Sequence, residues 1–550
     1  MQSRFEYLGF LIKYILKFKK FFVISFLLAV FLTLMQLPMP LASKYLIDKL
    51  IPQKNIKFIN ILGFALTCYV IISALTWVVY TYLTSLFRLK VLNLIKYELF
   101  EKILRLPLIS LEKKEAGYVA SRISDEVLKL SSIVGKFFSS LVINFLTLVV
   151  GVTGVFLIHR RLALIVYTIL PIYLLFSRFF NKRIYEKSLT VREVNAQNKK
   201  LLIDFLNNIM ITKIYNAADF LLNKYQKSLH EVLEKEMQFT LVNSLAYASA
   251  RIISSLAPLT LLWYGSLEIV KGKLTLGGLV AFNSFIGYIF SPAQQILNTV
   301  YQFQDARSSI KRIREIFGLE EEEGGKLKRK IRGEIEVINL NFSYGDRIVF
   351  RNFNLKVEPG EMVGITGPSG IGKTTLLKIL AGLYPVGRGE IFIDGIDIND
   401  YDREYLRENV IYISQTPNVF AMSLLENLTL GEEYDRNYII NTLSMAGADF
   451  VGSLKYGLLT KCQEKGSNFS GGQLQRINLA RGLLRKPKIL LLDEVTAHVD
   501  SKTEEKIFET LMKMKGHTTI LFVAHRLISH NIFDKIVNIS QFQEYNGHMS

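Results

Sequence analysis

The sequence predicts an all-α polytopic membrane domain of six transmembrane helices, followed by an α/β P-loop domain. Three observations carry that prediction. Long uncharged apolar stretches occur only before about residue 305. A glycine-rich turn, Gly367-Pro368-Ser369-Gly370-Ile371-Gly372-Lys373-Thr374-Thr375, lies between a short apolar run and a helical one. A second apolar run, Ile489-Leu490-Leu491-Leu492, ends in two carboxylates, Asp493 and Glu494.

The membrane helices follow from length. About 20 apolar residues cross a hydrocarbon core. Phe21–Ser43, Phe58–Phe87 and Phe137–Ile158 meet this without a charge. Leu162–Ser177 is short, and Arg178 can extend it by reaching to the interface. Phe239–Leu267 is interrupted only by Arg251, and Leu274–Phe303 is uncharged. The first stretch is too long for the apolar part of a cleavable signal peptide and has no small-residue cleavage site after it, so it is expected to be retained.

Charge then orients the helices. The N-terminal tail and the segments 88–136 and 178–235 carry about 25 Lys and Arg, against about 8 in the other three connections. The excess marks the cytoplasmic side. Localisation in the inner (plasma) membrane, multi-pass, with the second domain cytoplasmic, is expected. The net charge of +19 is thus read against anionic lipid. It lies between apolar spans rather than on one basic face, so no nucleic-acid partner is expected.

An ionisable residue within a span is a functional candidate. Arg251 is one, unless its helix starts in the cytosol and places it at the headgroups, which the helical pattern from about Asn195 favours. Asn144, Tyr167, Gln294 and Gln295 could line a pathway or bond neighbouring helices. Pro38, Pro40, Pro171 and Pro292 would interrupt or kink their helices. The two cysteines, Cys68 and Cys462, form no disulfide framework or zinc spacing.

The membrane domain is expected over 1–316 and a charged linker over 317–332, where Glu320–Glu323 and Gly324–Gly325 precede Lys326, Lys328, Arg329 and Lys330. Opposite charge blocks read as a solvated connector. The second domain is expected over 333–550. It opens with an alternating strand in which Ile335, Val337 and Asn339 share one face, leading to Phe342-Ser343-Tyr344.

The glycine-rich turn has the strand–turn–helix context of a phosphate-binding loop. Its glycines let backbone N–H groups converge on phosphate oxygens, and the following helix presents its positive end to the same anion. Lys373 can reach the β- and γ-phosphates, and the Thr374 hydroxyl can ligate Mg²⁺. Asp493, at the C-terminal end of a buried parallel strand, suits Mg²⁺. Glu494 suits polarising the attacking water. This is a P-loop NTPase reading, with ATP and Mg²⁺ as its ligands.

Phe469-Ser470-Gly471-Gly472-Gln473 lies about twenty residues before Asp493-Glu494 and opens a helix. With that motif the chain resembles the ATP-binding cassette (ABC) exporter family, as a half-transporter. The resemblance implies that Ser470, Gly471, Gly472 and Gln473 cap the γ-phosphate held by an opposite subunit, so that two copies enclose two ATP molecules. By the same resemblance Tyr344 stacks on adenine, Gln415 touches Mg²⁺ and faces the membrane domain, and His525 contacts the γ-phosphate. Gly117-Tyr118-Val119-Ala120-Ser121-Arg122 and Asp125 resemble the first cytoplasmic loop of exporters, and Asp204–Lys213 falls at the second coupling segment.

Two departures stand out. Ala497-His498-Val499-Asp500 replaces the more usual Ser-Ala-Leu-Asp, and Gln463-Glu464-Lys465-Gly466 has glutamine where glycine is common. Neither removes a catalytic group. The expected function is ATP-hydrolysis-driven export of a peptide, lipid or amphipathic small molecule. The partner is a second half-transporter, in a homodimer or a heterodimer. Absence of a soluble substrate-binding or protease domain in the sequence argues against an importer or a self-processing exporter. A membrane-anchored regulatory ATPase that moves no cargo is the alternative.

Overall fold

The structure, a computed structural model, describes residues 2–112, 122–132, 134, 138–497, 499–523 and 532–542. The chain divides into two compact units. One comprises Met1–Leu104 with Ala116–Leu319, the other Arg105–Glu115 with Glu320–Ser550.

The first unit is helical: α1 Gln2–Lys17, α2 Lys19–Leu34, α3 Pro38–Tyr45 and α4 Ile56–Leu104. The short α5 Leu108–Glu112 belongs to the second unit. Then come α6 Val127–Ser132, α7 Phe138–Ile158, α8 Arg160–Asn207, α9 Ile209–Ile214, α10 Ala218–Val270 and α11 Leu276–Phe317. Among the described residues, 6 helices are long and apolar enough to cross a membrane, as the sequence predicts.

The helices run well past the apolar stretches. α4, α8 and α10 have 49, 48 and 53 residues. At a rise of 1.5 Å per residue each reaches about 70–80 Å, more than twice a hydrocarbon core. Charges end the apolar signal without ending the helix. Proline acts differently by position. The chain breaks after Leu34, and Pro38 restarts it at the first turn of α3, where its missing N–H costs nothing. Pro171 and Pro292, expected to interrupt or kink, do not interrupt their helices, and neither does Pro258.

Packing is close where α7 meets α11. A Cβ at Gly151 would lie 2.7 Å from the Tyr288 carbonyl oxygen, so only glycine lets the two backbones approach this closely. Val155, Leu162, Phe282, Phe285 and Ile289 fill the adjoining core. Towards one end of the unit, Glu126 is buried among cations. Arg312 Nη2, Lys129 Nζ and Arg122 Nη1 lie 2.7, 3.1 and 3.4 Å from its carboxylate.

The second unit holds two sheets. β1 Ile335–Tyr344, β2 Arg347–Val357, β4 Ile391–Ile393 and β5 Ile396–Asp397 form an antiparallel sheet in the order β2-β1-β4-β5. β3 Met362–Thr366, β6 Val410–Ile413, β7 Ile489–Asp493, β8 Thr519–Val523 and β9 Lys535–Asn538 form a parallel sheet in the order β6-β7-β8-β3-β9. Its helices are α12 Lys373–Leu380, α13 Arg403–Asn409, α14 Leu424–Thr429, α15 Arg436–Met445, α16 Gly471–Leu484 and α17 Ser501–Met514. β7 is buried along its whole length, which explains its unbroken aliphatic run.

One expectation needs correction here, and another needs an addition. Asn339 does not continue the face of Ile335 and Val337. It adopts φ 49° at a register shift, and the bulge turns Leu340 and Phe342 inward instead. The charged linker is solvated, most of residues 320–330 being exposed, but it is also docked. Glu322 N–H donates to the Arg105 carbonyl, its carboxylate pairs with Arg407, and Arg403 Nε donates to the Glu323 carbonyl. Leu327 bridges to Tyr401. The Glu322 carboxylate and the Glu323 carbonyl find arginines on α13, so the strap is tied to that helix.

Helix α5 is fixed in the same unit. Leu108 and Ile109 pack on its core, and the Glu112 carboxylate accepts hydrogen bonds from Lys378 Nζ (2.7 Å) and Tyr384 OH (2.5 Å). Partial burial would raise this carboxyl, but those two donors outweigh it and hold it below the usual range.

Candidate nucleotide site

The site begins where β3 stops. Thr366 ends the strand, Gly367–Gly372 form the turn, and α12 starts at Lys373. Gly372, at the N-cap, has φ 116°, and a Cβ there would sit 2.6 Å from Val349 Cγ1. No other residue fits both constraints. Lys373 is buried, and its Nζ donates to the carbonyls of Gly367 (2.8 Å) and Pro368 (3.0 Å). The ammonium is thereby held over the loop, where an anion would draw it. Arg347 Nη2 donates to the Gly370 carbonyl at 3.1 Å and braces the loop from outside.

The parallel sheet delivers the carboxylates. β7 pairs with β8 so that Asp493 stands opposite Val523 at the C-terminal edge, the usual ligand side of such sheets. Asp493 is fully buried. Its Oδ2 accepts from Tyr412 OH at 3.0 Å, and its Oδ1 has no hydrogen-bond partner. Burial, then the Asp493 charge, pushes the Tyr412 phenol upward, so it stays a donor. Glu494 follows with φ 50°, a conformation that side chains seldom adopt outside functional turns. Its N–H donates to the Val523 carbonyl, its own carbonyl accepts from Gln475 Nε2 (2.9 Å), and its carboxylate accepts from Gln415 Nε2.

A cleft of about 310 Å³ gathers these groups: Tyr344, Ser369, Gly370, Gly372, Lys373, Thr374, Thr375, Gln415 and Glu494 all line it. Gly367, Pro368 and Ile371 form the loop behind it, and Asp493 lies beneath. The Tyr344 ring meets Phe342 and Tyr384 edge-on, and its hydroxyl lies 3.3 Å from Thr375 Oγ1. Ser470, Gly471, Gly472 and Gln473 do not line this cleft. They open α16 instead, where Ser470 Oγ accepts from Gln473 N–H and Gln473 Oε1 accepts from Ser470 N–H. His525, His498 and the segment 117–121 lie outside the described residues.

Thr374, Gln415 and Asp493 offer a hydroxyl, a carboxamide and a carboxylate, all hard oxygen donors. The buried, unpartnered Asp493 Oδ1 is the strongest sign that a cation fits here. Among the described residues no group of three His, Cys, Asp or Glu could hold a metal alone. That suits Mg²⁺, which takes one or two carboxylates and completes its shell with phosphate and water.

Comparison with known proteins follows the same division. The family profile "ABC transporter transmembrane region" matches residues 22–293, and the profile "ABC transporter" matches residues 350–497. The chain is an ABC transporter. Its two modules are fused in the half-transporter order. The transporter is 27% identical over 545 residues to the leukotoxin translocation ATP-binding protein of Mannheimia haemolytica, covering 97% of this chain and 76% of that protein. It is 29% identical to a serine protease/ABC transporter B family protein of Dictyostelium discoideum, over 82% of this chain but only 26% of that much longer protein. A bacterial Atm1-family ABC exporter with ATP bound shares the fold at a TM-score of 0.81 and 21% identity, covering 94% of this chain and 93% of that one.

Sequence reasoning missed four residues of the transporter's site. Arg347 and Val349 line the cleft from the hairpin after Tyr344. Tyr412 holds Asp493 from the neighbouring strand, and Gln475 holds the Glu494 backbone from α16. A polar residue three before Gln415 in an otherwise aliphatic strand was the available signal for Tyr412. Nothing in the sequence distinguishes Gln475 from a helix-surface glutamine.

Proposed function

We propose that this transporter hydrolyses ATP to export its cargo across the cytoplasmic membrane, as a dimer of half-transporters. The observation that carries the reading is the division of the motifs. Lys373, Thr374, Gln415 and Glu494 share one cleft, while Ser470–Gln473 stand apart, complete and preorganised. A second copy, head to tail, would bring its Ser470 turn to the phosphates held by the first. An apolar cap at Ile209, Met210, Ile211, Ile214 and Tyr215, every one at least 49% exposed, also asks for a partner surface.

In this scheme the loop N–H groups and Lys373 bind the β- and γ-phosphates. Tyr344 stacks on the base, and His525 contacts the γ-phosphate. Thr374, Gln415 and Asp493 would hold Mg²⁺, which neutralises charge on the phosphate oxygens. Glu494 accepts the proton of the attacking water, and Gln415 positions its carboxylate. Phosphate departure removes the anion that both copies grip, so the two part and bias the helices between alternative packings. Peptides, lipids and amphipathic small molecules are the cargo classes in view. Relatives named for leukotoxin translocation support export as the direction.

The test uses the purified full chain in lipid vesicles. Lys373→Ala should lose nucleotide binding. Glu494→Gln should bind ATP with near-normal affinity yet hydrolyse it on the order of 100-fold more slowly, the usual share of a general base. Retention of most of the rate in Glu494→Gln would remove Glu494 as the base. Hydrolysis without ATP-dependent accumulation of any candidate cargo in inside-out vesicles would point to a regulatory ATPase instead.

A further inference from the structure

The first unit contains a second cavity, of about 540 Å³, between α8, α10 and α11. That is the size of a site for a drug-sized molecule. Arg251 lines it, as do Arg192 and the aromatic rings of Phe176, Phe180 and Tyr247, and among the described lining residues there is no carboxylate.

The polar groups on its wall are biased towards donors. Gln294 Oε1 accepts from both Tyr173 OH (2.5 Å) and Ser177 Oγ (3.3 Å), so what Gln294 can still offer is an N–H. Asn298 Oδ1 in turn accepts from Gln294 Nε2 at 3.1 Å, which leaves its amide nitrogen as donor. Asn181 Nδ2 is buried on the same wall with no hydrogen-bond partner. A buried amide donor left unpaired is costly, so this wall carries a donor in want of an acceptor.

We propose that this cavity binds the exported substrate as an amphipathic anion: an oxyanion headgroup held by Arg251 and the Asn181 and Gln294 amides, with an apolar body against the aromatic rings. The inference rests on the export reading and narrows its cargo to one charge class. On this proposal Arg251 serves the cavity, with polar company from two other helices, whatever its depth in the membrane.

The experiment uses the full-length protein in zwitterionic nanodiscs without nucleotide. The probes are dansylamino-undecanoic acid, its methyl ester and the matching primary amine, followed by fluorescence, with dodecyl phosphate as competitor. The acid should bind at least 10-fold tighter than the ester, and the amine weakest. Arg251→Gln should erase the acid–ester difference, Arg251→Lys should restore part of it, and Asn181→Ala should weaken the acid several-fold. Dodecyl phosphate competing better than dodecanoate assigns a phosphate headgroup, and the reverse a carboxylate; both support the site. Equal affinity for acid and ester in wild type, or full discrimination in Arg251→Gln, overturns it. ATPase activity measured on the same wild-type sample keeps the two proposals apart. A chain that discriminates but never hydrolyses ATP sinks the export reading alone. One that hydrolyses ATP but ignores probe charge sinks only this one.

Discussion

Replacing Glu126 with glutamine removes one negative charge and almost no volume from a cluster in which three cations meet one carboxylate. Burial alone would raise this carboxyl. The hydrogen bonds from Arg312, Ser309 and Lys129, with the Lys129 charge, overcome that and bring it from 4.5 to about 2. At about 1.4 kcal/mol per pH unit, the difference is ~3 kcal/mol of stabilisation. Because the folded value is the lower one, the contribution is complete above pH 4.5 and is lost as pH falls towards 2. The substitution should therefore cost roughly 2–3 kcal/mol at neutral pH, since it leaves the Arg312 head beside a neutral amide in a buried setting. The assay is backbone amide exchange across residues 122–132 in the purified protein. A local opening made easier by that amount shows as about 100-fold faster exchange. The wild-type protection should persist in high salt, because a buried pair is screened little. Wild-type exchange rates in Glu126→Gln would refute the reasoning, and with it the idea that this cluster ties α6 to α11.

Two further predictions follow from packing and from α5. Gly151→Ala should destabilise the protein by about 1–3 kcal/mol in thermal inactivation, because its Cβ would meet the Tyr288 carbonyl, while Gly63→Ala, with nothing within 4 Å, should be neutral or slightly stabilising. Equal behaviour of the two variants would contradict the close approach of α7 and α11. Glu112→Gln should loosen residues 105–112 by about 0.5–1 kcal/mol, read as several-fold faster amide exchange, since the carboxylate is 37% exposed and its pair with Lys378 is partly solvated. In wild type the same loosening should appear as pH falls below the ordinary carboxylate range, where Glu112 takes up a proton, and no such pH step should remain in the variant.

The parts of the molecule that the sequence made legible are those where one physical demand dominates a run of neighbouring residues. Six apolar stretches announce helices because hydrocarbon tolerates little else, and the Gly367–Thr375 turn announces a phosphate cradle because only glycines permit it. Legibility failed where the partner is distant in sequence. The lengths of α4, α8 and α10 beyond the apolar stretches are invisible to an apolar count, and Glu320–Glu323 gives no sign of docking until Arg403 and Arg407 are brought beside it. The helical pattern around Arg251 favoured the headgroups and gave no sign of a cavity. Asn181 and Gln294 line the same cavity from α8 and α11, far away in sequence. The face change at Asn339 was hidden for the opposite reason, being a single-residue bulge inside a pattern that otherwise alternates cleanly.

The reciprocal cap at the head of α16 has a kinetic consequence. Ser470 and Gln473 already satisfy one another, so the turn is rigid before any visitor arrives, yet the hydroxyl hydrogen and the amides of Gly471 and Gly472 are not used by that exchange. A docking surface built this way has no slow ordering step of its own. How fast two copies clasp would then be limited by how often they collide in the right orientation, and a substitution that breaks the cap, such as Gln473→Ala, would show first as sluggish closure rather than as weaker grip.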